Sequence, residues 1–323
     1  MLEDVQAQPH QIGDALWRVE AAGVPRRDLP GGLLVCGMGG SAIGGDLAAG
    51  AIGPRATRPI RTVRGYAHEP WTGPDTLVLC ASYSGGTEET LAGFDAAGEA
   101  GAARVALTTG GALAERAREQ GVPVIGVPSG LQPRAAVIYM TVAALELAAS
   151  CGAAPPLRDE IVGAVEVLGT LPEDGEPARV AAALEGTIPV VHGAELTSAV
   201  ARRWKGQLNE NANVAAFASE LPEANHNEIE GWTYGHEVAP FSAVFLEADA
   251  LHPRVKRRID LSSEELQEMG VPVVRVGARG QTAVANVLSL VMLGDLASVR
   301  LAELRGVDPA AMDAIEGFKA RLA

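Results

Sequence analysis

Short, continuously apolar runs alternate along the chain with longer segments of helical periodicity. The runs span four to six residues each, are rich in Val, Leu and Ile, and lie at Leu33–Cys36, Thr76–Ala81, Val105–Thr109, Val122–Val127, Ile188–His192, Phe241–Leu246 and Val271–Val276. Such runs are typical of strands that are buried on both faces of a parallel sheet. Helices are predicted at 87–100, 134–149, 157–169, 195–208, 262–269 and 282–303. The alternation predicts a doubly wound α/β fold, with helices flanking each parallel sheet.

Two segments share the same sequence pattern and indicate two related domains. LLVCGMGGSAIGG at 33–45 and IPVVHGAELTSAV at 188–200 each combine a strand, a glycine turn and the start of a helix. The segment 151–177, rich in Gly, Pro and acidic residues, separates them. We therefore expect an N-terminal domain at 1–152 and a C-terminal domain at 153–323 that ends in a helix. In the second domain, Ser262 and Glu265 have the spacing of a capping box, which predicts a helix beginning at Ser262.

Charge and composition exclude several classes of function. The 323 residues carry a formal charge of −14, whereas binding to nucleic acids or anionic membranes needs a basic surface. The apolar stretches 135–149 and 287–298 contain Glu146 and Asp295 and are expected to be buried helices rather than membrane spans. Three cysteines lie far apart and form no CxxC pair, so neither a zinc site nor a disulfide framework is indicated. The polar N-terminus does not resemble a signal peptide, and a cytoplasmic protein is expected.

Two glycine- and serine-rich loops have the composition of phosphate-binding loops. GMGGSAIGGD (37–46) follows the first strand, and SYSGGTEET (82–90) follows the second. Glycines allow a ligand to approach the backbone closely, and the N-terminus of the next helix attracts an anion. Candidate ligands of a phosphate monoester are Gly40, Ser41, Ser82, Ser84 and Thr87.

Two alternatives remain open for these loops. Residues 37–42 also match the G-x-G-x-x-A fingerprint of dinucleotide-binding folds. The acidic residue expected about 20 positions later is missing, and Arg61 and Arg64 stand there, which leaves an NADP site as an alternative. The second loop could instead be an ordinary helix cap, with Thr87 as the N-cap residue.

Asparagine is concentrated in one stretch of the chain. Five of the six asparagines lie between 209 and 227, together with Glu210, Glu220, His226 and other acidic residues. Carboxylate, imidazole and amide groups gathered in this way suit general acid–base chemistry, although a polar surface loop would have a similar composition. Neither an H-E-x-x-H zinc motif nor a G-x-S-x-G nucleophile elbow is present. Metal catalysis and nucleophilic serine catalysis are therefore not expected.

The chain resembles the bifunctional phosphoglucose/phosphomannose isomerases of the sugar isomerase (SIS) superfamily. The resemblance lies in GMGGSAIGGD (37–46), SYSGGTEET (82–90), QPRAA (132–136), KGQLNEN (205–211), NHNEIEGW (225–232) and the C-terminal helix near Lys319. It implies two SIS domains, a homodimer, and no metal ion or nucleotide cofactor. It also implies metal-free interconversion of hexose 6-phosphates in carbohydrate metabolism, at the entry to glycolysis and in gluconeogenesis. The candidate phosphate ligands would hold the substrate.

The resemblance also implies the catalytic roles. Glu210 would be the base that moves a proton between C1 and C2, and Arg134 would stabilise the enediolate. His226, supplied by the partner subunit, and Lys319 would assist opening of the sugar ring. In the family, a small hydroxyl residue about two turns before the terminal lysine is linked to acceptance of mannose 6-phosphate. Our alignment places Met312 there, and a thioether cannot donate a hydrogen bond, so activity on mannose 6-phosphate is less certain.

Two further interpretations keep the phosphate loops but change the function. A non-catalytic SIS protein that senses a sugar phosphate would need neither Glu210 nor His226. Another SIS enzyme would act on an amino-sugar phosphate instead.

Overall fold

The computed structural model describes residues 1–171 and 174–322, apart from the side chain of residue 236. The chain forms two compact units. The first unit comprises Gln6–Thr170 and Arg279–Ser289, and the second comprises Met1–Val5, Leu171–Ala278 and Leu290–Ala323. The two SIS domains at 1–152 and 153–323 stay a prediction.

Strands and helices alternate through most of the described chain. The strands are β1 Gly32–Gly37, β2 Ile60–Val63, β3 Thr76–Ala81, β4 Ala103–Thr108, β5 Val124–Gly126, β6 Ile188–Ala194, β7 Phe217–Leu221, β8 Phe241–Glu247 and β9 Val273–Gly277. The α-helices are α1 Leu2–Gln6, α2 Gln8–Ala21, α3 Gly39–Ile52, α4 Glu88–Glu99, α5 Gly111–Glu119, α6 Val137–Ser150, α7 Arg158–Gly169, α8 Glu176–Leu184, α9 Ser198–Ala212, α10 Glu228–Val238, α11 Pro253–Glu268, α12 Ala283–Arg305 and α13 Asp313–Leu322.

The first unit contains a parallel sheet with the strand order β2-β1-β3-β4-β5. Alternate residues of β1 point to opposite faces of this sheet. Cys36 packs with Phe94 of α4 and Leu113 of α5, whereas Val35 faces Gly45 of α3. Helices therefore cover both faces of β1, which explains why its sequence is apolar throughout.

The second unit contains a smaller parallel sheet with the order β7-β6-β8-β9. Helix α9 packs against β6 and β7. It is also tied to α12 through a buried ion pair, in which Arg203 Nε and Nη2 donate to the two Asp295 carboxylate oxygens at 3.0 and 2.9 Å. Trp204 Nε1 donates to the Leu290 carbonyl at 2.8 Å. These bonds fix both the rotation and the position of α9 along α12.

The doubly wound α/β class is confirmed, and each of the seven apolar runs overlaps a strand. Two strands, β2 and β7, lie outside the predicted runs. Both are edge strands, and most of their residues are partly or fully exposed, so neither carries a continuous apolar run.

The capping-box prediction at Ser262 is wrong. Helix α11 begins at Pro253, nine residues earlier, and the His252 side chain accepts a hydrogen bond from Arg254 N at 3.1 Å. Ser262 is a buried residue inside this helix. Its hydroxyl accepts a tertiary hydrogen bond, which the local spacing alone could not distinguish from a cap.

Helix α12 is long and apolar enough to cross a membrane when only its length and composition are considered, and it is the one such helix in the described chain. Its most apolar window has a mean hydropathy of 1.5, and 94% of that window is buried inside the protein. This burial, together with the internal Arg203–Asp295 pair, is typical of the core helix of a globular protein.

Candidate active site

The two glycine- and serine-rich loops lie side by side in the first unit. They follow β1 and β3, which are adjacent and parallel, with Gly37 paired with Ala81 at their carboxyl ends. The chain leaves β1 toward β2 on one side and reaches β3 on the other, which makes this a topological switch point. Ligands of open α/β sheets bind outside the strand ends at such a point.

Ser41 joins the first loop to the second. It lies in the first turn of α3, is largely buried, and its Oγ accepts a hydrogen bond from Tyr83 N at 3.2 Å. The bond crosses from one loop to the other, so the two loops form one hydroxyl-lined surface.

Ser82 and Thr87 form a hydroxyl pair in the second loop. Their Oγ and Oγ1 atoms are 2.8 Å apart, and Ser82 Oγ also accepts a hydrogen bond from Gly85 N at 3.0 Å. Ser84 is exposed and accepts a bond from Gly86 N at 3.3 Å. Thr87 occupies the N-cap position of α4, but its side chain makes no capping bond. The alternative of Thr87 as an ordinary cap is thus disfavoured.

Gly40 brings the first loop against the turn that carries Arg134. A Cβ atom on Gly40 would lie 3.1 Å from the Arg134 Cα and 3.3 Å from the Pro133 carbonyl oxygen, so a larger residue would separate the two segments. Arg134 is only 2% exposed, in the 3₁₀ helix Pro133–Ala136. The backbone of a buried arginine therefore lies against the first of the two loops.

Tyr83 is a structural residue of this site that the sequence did not single out. Its hydroxyl donates to the Pro128 carbonyl at 3.1 Å and accepts from Leu131 N at 2.9 Å. It therefore ties the second loop to the segment that leads into the Arg134 turn. No local pattern predicts these contacts, because their partners lie 45 and 48 residues away.

Tyr66 connects the segment after β2 to the start of α4. Its hydroxyl donates to Glu88 Oε2 at 3.3 Å. The negative charge of Glu89 raises the pKa of Tyr66, with smaller contributions from burial and from Glu88. Tyr66 therefore stays a neutral donor at neutral pH.

The electrostatics of the loops favour an anion. Helices α3 and α4 both begin at the carboxyl edge of the sheet, where their free N–H groups and the positive ends of their dipoles are concentrated. Several hydroxyls and the backbone of Arg134 lie beside them. This arrangement matches the three oxygens of a phosphate monoester, although the chain as a whole is strongly acidic.

The remaining candidate residues lie in three segments of the second unit. Glu210 is half-buried in the last turn of α9, and His226 is exposed at the end of the 3₁₀ helix Glu223–His226. Lys319 is exposed on α13, two turns after Met312. The structure therefore groups the six first-unit candidates, Gly40, Ser41, Ser82, Ser84, Thr87 and Arg134, in one place. The roles of all nine candidates stay predictions.

Titratable groups in the described part of the chain give no indication of a metal centre. Within residues 1–171 and 174–322, no group of three or more His, Cys, Asp or Glu side chains is arranged to hold a metal ion.

Comparison with known proteins identifies the family. Residues 173–322 match the family model "Bacterial phospho-glucose isomerase C-terminal SIS domain". A bifunctional phosphoglucose/phosphomannose isomerase of Aquifex aeolicus is 38% identical over 292 residues, which are 90% of each chain. The chain belongs to this isomerase family. A second member, from Caldicellulosiruptor bescii, is 34% identical over 100% of this chain and 99% of its own length.

A relative with another activity is also similar. A D-glucosamine-6-phosphate 4-epimerase of Sulfolobus acidocaldarius is 32% identical over 71% of this chain and 79% of its own length.

Among solved structures, a hypothetical protein from Thermus thermophilus has a TM-score of 0.77 at 19% identity, over 100% of this chain and 90% of that one. At this identity the structural likeness shows the SIS fold alone.

Proposed function

We propose that this isomerase interconverts glucose 6-phosphate and fructose 6-phosphate through a cis-enediolate. Mannose 6-phosphate, the epimer of glucose 6-phosphate at C2, is the second aldose of the proposal. The observation that carries it is the pair of joined hydroxyl-rich loops at the carboxyl ends of β1 and β3. Membership of the phosphoglucose/phosphomannose isomerase family supports the choice of reaction.

The phosphate group anchors the substrate in the proposed mechanism. Ser41, Ser82, Ser84 and Thr87 donate hydrogen bonds to its oxygens, and Gly40 leaves the backbone accessible. Hydrogen bonds to a charged group are about twice as strong as neutral ones. Because the phosphate is anchored in this way, the rest of the site has only to orient C1 and C2 of the sugar.

Proton transfer at the neighbouring carbons is the central step. Glu210 removes the proton from C2 of the open-chain aldose, and electrons shift into the C1 carbonyl to form the enediolate. The proton of the C2 hydroxyl then passes to the oxygen on C1, so that C2 becomes the carbonyl carbon. The proton held by Glu210, or one exchanged with solvent, is delivered to C1 to give the ketose. Arg134 stabilises the negative oxygen, so the charge is neutralised by the protein itself.

Ring opening precedes this step because hexose phosphates are mainly cyclic. His226 and Lys319 move the proton between the ring oxygen and the C1 hydroxyl. The imidazole of histidine is suited to both directions of transfer near neutral pH.

The proposal includes a cytoplasmic homodimer in which His226 is supplied by the partner subunit. The exposure of His226 in a single chain supports this part of it. Neither a nucleic acid nor a membrane is a partner in the proposal, since the net charge of −14 disfavours binding to both polyanionic surfaces.

A coupled assay for fructose 6-phosphate formation tests the proposal. Glu210→Gln keeps the shape of the side chain but removes the base, and we expect it to lower kcat by about 100-fold to 10,000-fold. Glu220→Gln is the matched control, because Glu220 is an exposed glutamate ten residues later. Normal turnover by Glu210→Gln would remove Glu210 from the mechanism.

The D-glucosamine-6-phosphate 4-epimerase relative supports one alternative, an enzyme acting on an amino-sugar phosphate. Assays with glucosamine 6-phosphate as substrate distinguish the two activities. A non-catalytic sensor would bind glucose 6-phosphate tightly in calorimetry without any turnover.

Met312 provides a test of aldose selectivity. It directly precedes α13 at the position where the family resemblance expects a small hydroxyl residue. We expect Met312→Thr to raise kcat/KM for mannose 6-phosphate relative to glucose 6-phosphate. An unchanged ratio would show that this position does not select the aldose.

A further inference from the structure

The proposed chemistry uses Glu210 and His226 but none of the asparagines around them. Two of these asparagines directly adjoin the proposed catalytic residues in sequence: Asn211 follows Glu210, and Asn225 precedes His226. Each makes the same kind of contact, from its amide nitrogen to a serine hydroxyl on a different helix.

Asn211 fastens the end of α9 to α12. It is fully buried, and its Nδ2 donates to Ser298 Oγ at 2.9 Å. Ser298 is also fully buried, and its hydroxyl donates to the Asp295 carbonyl at 2.7 Å, which fixes the orientation of the hydroxyl. The last turn of a helix lacks part of its backbone hydrogen bonding and frays easily. The Asn211–Ser298 bond holds the turn that carries Glu210.

Asn225 fastens the His226 turn to α11. Its Nδ2 donates to the buried Ser262 Oγ at 2.8 Å, and its Oδ1 accepts from Arg258 Nη1 at 3.3 Å. Both ends of the amide are therefore bonded to the same helix. The 3₁₀ helix Glu223–His226 is only one turn long and has little rigidity of its own.

We propose that Asn211 and Asn225 are positioning residues, which hold Glu210 and His226 in their reactive orientations through Ser298 and Ser262. The inference rests on the proposed function. A general base is effective only when it is held close to the reacting geometry, and a displacement of about 1 Å can cost about 100-fold in rate. It also gives a role to two of the five asparagines that are concentrated between 209 and 227.

Removing single hydroxyls separates positioning from general stability. Ser298→Ala and Ser262→Ala each delete the acceptor of one asparagine. Ser242→Ala is the matched control, because the buried Ser242 hydroxyl makes a 2.8 Å bond to Thr187 Oγ1 in the same unit, away from both turns. Each variant is assayed with glucose 6-phosphate at a temperature at which circular dichroism shows it to be fully folded.

We expect Ser298→Ala and Ser262→Ala to lower kcat by about 10-fold to about 100-fold, with KM nearly unchanged because the phosphate loops are intact. Ser242→Ala should keep the wild-type kcat, although all three variants lose thermal stability. Ser262→Thr, which keeps the hydroxyl, should restore kcat. Because the two serines lie on different helices, the positioning role can still be tested with one variant if the other fails to fold.

Wild-type kcat in folded Ser298→Ala and Ser262→Ala, together with an inactive Glu210→Gln, would overturn the positioning role and leave the proposed function standing. An equal loss of kcat in Ser242→Ala would also overturn it, since the effect would then be structural. Full activity of Glu210→Gln would instead contradict the proposed function itself.

Discussion

His192 is a titratable side chain buried in the core of the second unit. It lies in the central strand β6, is 4% exposed, and its ring stacks on Phe245 with 4.7 Å between the ring centroids. Among the described residues neither ring nitrogen has a hydrogen-bond partner. Burial lowers the pKa of His192 from 6.5 to about 4, because the charged form loses its hydration. The folded protein therefore contains a neutral imidazole at this position.

This burial predicts a loss of stability in mild acid. The unfolded chain binds a proton at His192 below about pH 6.5, whereas the folded chain binds it only near pH 4. The free energy of unfolding should therefore be insensitive to this group above pH 6.5 and should fall by roughly 3 kcal/mol between pH 6.5 and pH 4. Urea unfolding at a series of pH values measures the effect.

The control for this experiment is a pair of histidine variants. His192→Leu should remove most of the acid-dependent loss, whereas His10→Gln should keep it, because His10 is exposed on α2. An identical pH dependence in wild type and His192→Leu would show that other groups dominate the acid response.

At the scale of elements, the second phosphate loop depends on one glycine conformation. Gly85 has a φ of +71°, and a Cβ atom there would lie 1.9 Å from the Gly110 carbonyl oxygen. The neighbouring Gly86 has no atom within 4 Å of an added Cβ. The two adjacent glycines therefore differ in what an alanine would meet.

Gly85→Ala should destabilise the protein by more than about 2 kcal/mol, through left-handed backbone strain and overlap with Gly110. Gly86→Ala should change stability by less than about 1 kcal/mol, since neither cause applies. Thermal or urea unfolding of both variants checks this difference. Equal destabilisation of the two would contradict the loop geometry described above.

Strands were predictable from the sequence where burial produces a continuous apolar run. The central strand β3 is fully buried and was predicted with its observed bounds, whereas β2 and β7 were missed because most of their residues are partly or fully exposed and form no continuous apolar run. Ser262 shows a different failure. Its spacing to Glu265 imitates a helix start, but the hydroxyl serves a contact with Asn225, 37 residues away. Local patterns do not contain such long-range contacts.

The phosphate loops could be predicted from local sequence to a greater extent than the catalytic residues. Each loop is a contiguous segment after a buried strand, so its chemistry and its place at the sheet edge follow from local sequence. Glu210, His226 and Lys319 lie on separate helices, and their individual catalytic roles came only from the family resemblance. The contacts of Tyr83 and Asn211, by contrast, became visible only in the folded structure.

At the scale of the whole molecule, the proposed dimer predicts complementation between inactive variants. If His226 acts on the partner's substrate, a hybrid of Glu210→Gln and His226→Asn chains contains one site with both wild-type residues and one site with neither. Random mixing of equal amounts in a symmetric dimer should restore about a quarter of wild-type activity. Each variant mixed with itself provides the control. A mixture no more active than its parents would show that His226 does not act across subunits.

Hydrogen exchange with solvent tests the role of Glu210 most directly. When wild-type protein is incubated with glucose 6-phosphate in D₂O, NMR should show deuterium entering C2 of glucose 6-phosphate and C1 of fructose 6-phosphate. Glu210→Gln should slow this exchange by at least about 100-fold, because the proton-abstracting carboxylate is gone. Exchange at the wild-type rate in folded Glu210→Gln would contradict the account.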